Sequence, residues 1–156
     1  MPELRPVAVA LGSNLGDRAA HLHYAVARLG GLLSGMQVSA FVETAPEGVA
    51  PQPPFLNAVV VGQSAAAPIE ILTALMAIEK QRARTRLFPG APRTLDLDLI
   101  LVGDLTELSS SLELPHPRFR DRRFVLGPLS EIAPDLIDPV TELTTAALLA
   151  RLDACG

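Results

Sequence analysis

The chain holds one cysteine, Cys155, among 156 residues, so it forms no internal disulfide and offers no multi-thiolate zinc site. A reducing, cytoplasmic setting is the natural expectation. Tryptophan is absent, and one tyrosine and five phenylalanines are present; a site that stacks a flat ring must draw on very few side chains. The early apolar run Val7 to Leu11 is shorter than a signal-peptide core and far shorter than a membrane span, so no membrane association is expected. An excess of positive charge is missing as well. The formal net charge is −4, which argues against a nucleic-acid partner. The length suits one domain, residues 1–156, with a core of its own.

What is present is unevenly placed. Nine of the thirteen basic residues lie between Lys80 and Arg123, and all of these but Lys80 are arginines, whose planar fork suits phosphate. In the same stretch, Pro92 to Leu101 reads Pro-Arg-Thr-Leu-Asp-Leu-Asp-Leu-Ile-Leu. Strand side chains alternate between faces, so Leu95, Leu97, Leu99 and Leu101 are expected on one face and Asp96 and Asp98 on the other. Two neighbouring carboxylates repel each other unless a cation lies between them. Magnesium fits such an oxygen-only pair, because it keeps several waters and completes its shell with phosphate oxygens. Arg93 adds a fixed positive charge at the same rim.

The pattern of elements gives the fold class. Val7 to Leu11 reads as a strand, Arg18 to Leu33 as a helix capped by Asp17 and weakened near Gly30, and Gln37 to Thr44 and Phe55 to Gly62 as two further strands. Pro68 to about Arg82 reads as a helix and Leu95 to Val102 as a fourth strand. The order strand, helix, strand, strand, helix, strand is that of a ferredoxin-like βαββαβ core, an α+β fold with a mostly antiparallel sheet. A short strand near Leu105 to Glu107, the proline-punctuated stretch Leu114 to Pro128 and a helical tail from about Leu143 to Leu152 would cover the second face, putting helices on both faces. Ala83 to Pro92 is polar and interrupted by Pro-Gly, which predicts a mobile loop.

Three further constellations stand out. Arg82, Arg84 and Arg86, on a loop before Arg93, suit a lid that neutralises a phosphate chain and excludes water. In Leu114-Pro115-His116-Pro117-Arg118, flanking prolines restrict the backbone around His116. Phe55 and Asn57, two residues apart on a strand, share a face and could stack a heterocycle and read its edge. Gly12-Ser13-Asn14-Leu15-Gly16 is neither a Walker loop nor a dinucleotide fingerprint, and His21 and His23 fall on the first helix, where solvated or packed histidines are the rule.

As a set these residues resemble the 6-hydroxymethyl-7,8-dihydropterin pyrophosphokinase family. The motifs are LGSNLGDR at Leu11 to Arg18, ETAP…FLNAVV from Glu43 to Val60, PRTLDLDLILVGD from Pro92 to Asp104 and LPHPR…RFVLGPLSEIAPD from Leu114 to Asp135. The resemblance implies transfer of pyrophosphate from ATP to a pterin in folate biosynthesis, with AMP released. It implies that Asp96 and Asp98 bind two Mg2+ ions, that His116 and Arg93 contact the phosphate chain, that Arg84 closes over it and that Arg122 holds the transferred group. It further implies that Thr44 and Asn57 read the pterin edge, that Phe55 and Phe124 sandwich its ring, and that Glu79 stands beside the nucleotide. The expected partners are these two small molecules, and the expected state is a monomer. The alternatives are another magnesium-dependent nucleotidyl or phosphoryl transferase and a non-catalytic nucleotide- or pterin-binding module. The chain departs from the family pattern at Phe88-Pro89-Gly90-Ala91, where many members carry tryptophan-glycine, at Pro117, where some carry tyrosine, and at Glu47, which is apolar in some.

Overall fold

The computed structural model describes residues 3–44, 53–82 and 95–155. The element order is β1 (Arg5–Ser13), α1 (Arg18–Leu29), β2 (Ser34–Val38), β3 (Val42–Thr44), β4 (Phe55–Ser64), α2 (Pro68–Arg82), β5 (Asp96–Val102), β6 (Glu107–Leu108), β7 (Glu113–Leu114), α3 (Arg123–Ile132) and α4 (Thr145–Cys155). A 3-10 turn, Phe119–Asp121, precedes α3. The main sheet runs β2-β4-β1-β5, with β3 also paired to β4, and β6 and β7 form a separate ribbon. Every pairing among the described strands is antiparallel. The ferredoxin-like order expected from the sequence is therefore present.

The alternation of β1 sorts the molecule into two layers. Val7, Val9 and Leu11 face α1 and α2, packing with Leu22, Leu29, Leu75 and Ile78. Ala8 and Ala10 face the other way, where Phe119, Leu126, Leu129 and Leu148 cover the sheet. Helices thus lie on both faces. None among the described residues is long and apolar enough to cross a membrane.

The helices α1 and α2 follow their sequence signals. Asp17 caps α1 by accepting the Ala20 N–H at 3.1 Å, and α1 ends at Leu29, before Gly30, where the glycine pair begins. Pro68 opens α2, where a missing N–H costs nothing. The sequence also predicts one strand over Gln37 to Thr44, but β2 and β3 are separate. At the break, Ser39 meets Val59 twice: its N–H donates to the Val59 carbonyl and its Oγ accepts the Val59 N–H, both at 2.9 Å. The next N–H, of Ala40, turns to the Glu131 carboxylate at 3.1 Å.

The stretch around Pro128 contains α3, which the sequence pattern does not announce. An interior proline costs about 3 kcal/mol by removing a backbone bond. Burial of Val125, Leu126 and Leu129 offsets it, at about 2 kcal/mol per side chain.

One expectation about β5 requires correction. Val9 pairs with Leu99 but Ala8 pairs with Leu101, so Ile100 is an extra residue in the strand, a β-bulge. Ile100 and Leu101 both enter the second core, whereas Leu95, Leu97 and Leu99 remain in the first. Leu101 therefore does not share a face with the other three leucines.

The approach to α3 is clamped from behind. Asp138, wholly buried, accepts Arg120 Nε at 2.6 Å and Nη2 at 2.9 Å, the Thr141 hydroxyl at 2.7 Å and the Val140 N–H at 3.1 Å. Burial raises the Asp138 carboxyl, but the bonds from Arg120, Thr141 and Val140 outweigh it and bring its pKa down to about 2. Because this folded-state value lies below the ordinary carboxyl value, the stabilisation is complete above about pH 4 and is lost as pH falls through the folded pKa. Asp138→Asn is expected to cost about 3 kcal/mol at pH 7 in urea unfolding, and the gap between the two proteins should close as the pH falls towards 2.

Candidate active site

Three strands contribute side chains to one face at the end of the sheet. In register, Gly12 of β1 lies opposite Asn57 of β4 on one side and Asp96 of β5 on the other, and Ala10 lies opposite Asp98. Since opposed residues point to the same face, Phe55, Asn57, Asp96 and Asp98 converge over a floor of small residues. Thr44 of β3 and Arg122 and Phe124 at the start of α3 complete the lining of a cavity of about 220 Å³.

The aromatic and amide end is held rigidly. Asn57 is buried, and its Nδ2 donates to Thr44 Oγ1 at 2.6 Å. The floor beneath it depends on Gly12, because a Cβ there would meet Asn57 Oδ1 at 3.1 Å and Phe55 Cδ1 at 3.6 Å. Arg18, the first residue of α1, donates to the Pro54 carbonyl at 2.8 Å and pairs with Glu43 at 3.5 Å, fixing the chain just before Phe55. Phe55 and Phe124, each partly exposed, leave ring surface for a flat heterocycle, and Asn57 supplies the polar edge.

The other end carries charge. Asp96 is partly buried and Asp98 exposed. The peptide between them is tied down from α2: the Leu97 N–H donates to the Glu79 carboxylate at 2.7 Å. Among the described residues no three His, Cys, Asp or Glu side chains gather as a metal cluster. The pair of carboxylates in an open cavity is instead a donor set for a hard cation that draws its remaining ligands from water and phosphate, and not for zinc.

The bulge in β5 places His116. Its N–H donates to the Ile100 carbonyl at 2.7 Å, and the Arg118 N–H donates to its Nδ1 at 3.1 Å. A ring that accepts at Nδ1 carries its proton on Nε2 when neutral and presents it as a donor. Burial lowers the His116 pKa; the charge of Asp98 raises it, and that of Arg122 lowers it further. Both charged groups are thus near enough to act on the ring.

The basic cluster divides by partner. Arg120 is held by Asp138 and Arg123 by Asp153. Arg122 lines the cavity, its guanidinium 5.6 Å from the Phe124 ring centre. Its own carbonyl accepts the Val125 and Leu126 N–H groups, so α3 begins here and turns the positive end of its dipole towards the cavity rim.

The described residues thus bring together Thr44, Phe55, Asn57, Asp96, Asp98, Arg122 and Phe124 in one cavity, with His116 and Glu79 beside it. Arg84 and Arg93 lie outside the described residues, as do Arg86, Phe88, Glu47 and the loop expected from Ala83 to Pro92. Sequence reading passed over two contributors. Gly12 could have been found from the small stripe Ala8, Ala10, Gly12 at strand spacing, whereas nothing local marks Arg18. His21 accepts Arg82 Nε at Nδ1 at 2.8 Å, joining α1 to the last turn of α2; burial and the Arg82 charge lower its pKa.

The family model for 7,8-dihydro-6-hydroxymethylpterin-pyrophosphokinase (HPPK) matches residues 8–134. A Synechocystis 2-amino-4-hydroxy-6-hydroxymethyldihydropteridine pyrophosphokinase is 40% identical over 148 residues, 93% of this chain and 75% of the relative. The Bacillus subtilis protein of the same name is 39% identical over 139 residues, 88% of this chain and 83% of the relative. Among solved structures, Plasmodium falciparum HPPK-DHPS in its wild-type form with pterin and p-hydroxybenzoate superposes with a TM-score of 0.77 at 14% identity, covering 99% of this chain and 44% of that one. The last similarity is one of fold.

Two outcomes are expected. Gly12→Ala should weaken binding of a flat heterocycle such as a free pterin by about tenfold, since a displaced Asn57 loses about one hydrogen bond; fluorescence titration measures this. By NMR, His116 should titrate below 6.5, lower still in Asp98→Asn and higher in Arg122→Ala.

Proposed function

The chain belongs to the 7,8-dihydro-6-hydroxymethylpterin-pyrophosphokinase family, and from that premise we propose that the cavity at the end of β1, β4 and β5 is where its two substrates meet. It is an enzyme of folate biosynthesis that transfers pyrophosphate from ATP to the hydroxymethyl group of 6-hydroxymethyl-7,8-dihydropterin, releasing AMP. The observation that carries the assignment of the site is that one cavity holds an aromatic and amide end, Phe55, Asn57, Thr44 and Phe124, beside a charged end, Asp96, Asp98 and Arg122.

In this reading the pterin ring lies between Phe55 and Phe124. Asn57, oriented by Thr44, reads the ring edge with a buried amide whose misfit to a wrong heterocycle would be costly. Asp96 and Asp98 would hold two Mg2+ ions. When bound, these neutralise charge on the triphosphate. His116, donating through Nε2, and Arg122, aided by the α3 dipole, would contact phosphate oxygens, as would Arg93. Arg84 is proposed to close over the chain.

The pterin hydroxyl then attacks the β-phosphorus of ATP. What the protein supplies is alignment and electrostatic stabilisation of charge spread over the phosphate oxygens. No side chain is assigned as general base. A single domain over residues 1–156, acting as a cytoplasmic monomer, completes the proposal.

With Mg2+ and ATP, AMP should accumulate only when the pterin is added. ADP without AMP would overturn pyrophosphoryl transfer. Asp96→Asn should lower turnover at least about a hundredfold, the scale set by loss of charge stabilisation at phosphate.

A further inference from the structure

We propose that Glu79 is a positioning residue for the Asp96 and Asp98 pair, acting through the peptide between them; this rests on the reading of those carboxylates as cation ligands. Among the described strands β5 is the last of its sheet, so backbone groups on its outer side have no described strand to pair with. Leu97 is the residue between the two aspartates, and its N–H is satisfied by the Glu79 carboxylate at 2.7 Å. A charged acceptor makes this a stronger tie than a neutral one.

Both ends of the tie are anchored. Ile71, Leu75 and Ile78 of α2 are buried in the first core, which sets the height of Glu79 over the strand. The Leu97 side chain is buried in the same core, so with its N–H also held, the tilt of its peptide plane is fixed. This plane is the Asp96–Leu97 peptide, so its tilt sets the direction in which the Asp96 side chain leaves the backbone and the point from which the strand continues to Asp98. Two carboxylates that must share cations repel each other while the cations are absent. A fixed peptide keeps them converged through that state, so less order has to be created when the cation arrives.

The experiment compares Glu79→Gln, which keeps a carbonyl acceptor without the charge, with Glu79→Ala, which removes both. Amide exchange of the apo enzyme, followed by NMR, reads the Leu97 N–H directly, with the Val9 and Val59 amides reporting any global loss of folding. Leu97 protection should fall at least about tenfold in Glu79→Ala relative to those controls and be largely kept in Glu79→Gln, a scale set by one hydrogen bond. The dissociation constant of Mn2+ with α,β-methylene ATP should rise about tenfold in Glu79→Ala and less than about threefold in Glu79→Gln. The proposal is overturned if Leu97 exchanges equally slowly in Glu79→Ala, if its exchange quickens while cation affinity stays unchanged, or if Glu79→Gln loses affinity as severely as Glu79→Ala, which would make the charge itself the requirement. Asp96→Asn separates the two readings: if it binds Mn2+ as tightly as the parent, the cation assignment falls, and this role with it, whatever Leu97 shows.

Discussion

The outer side of β5 carries backbone groups that no described strand pairs, and the chain satisfies two of them with the parts that build the site. The Leu97 N–H goes to Glu79 on α2, and the Ile100 carbonyl takes the His116 N–H. Asp98 lies between these two attachments. Such an edge is a liability in most sheets, open to another strand or to water. Here the bulge at Ile100 breaks the regular edge and turns a carbonyl outward, and the Pro115-His116-Pro117 segment docks on it. The same local irregularity therefore interrupts strand pairing and brings a histidine to an acidic pair.

On the inner side of β5 the constraint is one of volume. The face of β1 towards α3 and α4 consists of Ala8, Ala10 and Gly12, smaller along the strand, while the face towards α1 and α2 carries Val7, Val9 and Leu11. The first layer packs along the whole strand. The second packs closely only as far as Ala8 and Ala10, and at Gly12 the space is left for the cavity. Rigidity and access thus come from opposite faces of one strand. The buried clamp of Asp138 on Arg120 extends this division, since it holds the segment running from His116 into α3 without taking part in the lining.

Much of this arrangement was legible in the sequence, because the relevant signals were local. The period-two pattern of Leu95 to Leu99 placed Asp96 and Asp98 on one face, Phe55 and Asn57 shared a face for the same reason, and the bounds Pro68–Arg82 of α2 followed from an initiating proline and apolar spacing. The failures have a common cause. An unbroken run of apolar residues from Leu99 to Val102 does not say where an extra residue falls, so the bulge and the altered face of Leu101 were invisible. The helix α3 was hidden by Pro128, whose local penalty is overcome by tertiary burial. Residue type alone could not separate Arg120 from Arg122, because the distinction rests on a partner 18 residues away. Nor could it show that Glu79 meets a backbone N–H, since such a bond joins two elements across a core.

Arg122 occupies the N-cap of α3 with no capping hydrogen bond from its side chain. Asparagine, aspartate or serine at such a position usually contributes to helix stability through the side chain; here that duty is carried by the main chain alone. The position is therefore released from the folding requirement that ordinarily limits what an N-cap can be. A substitution at 122 can therefore change the charge and reach presented to the cavity without removing a side-chain cap from α3.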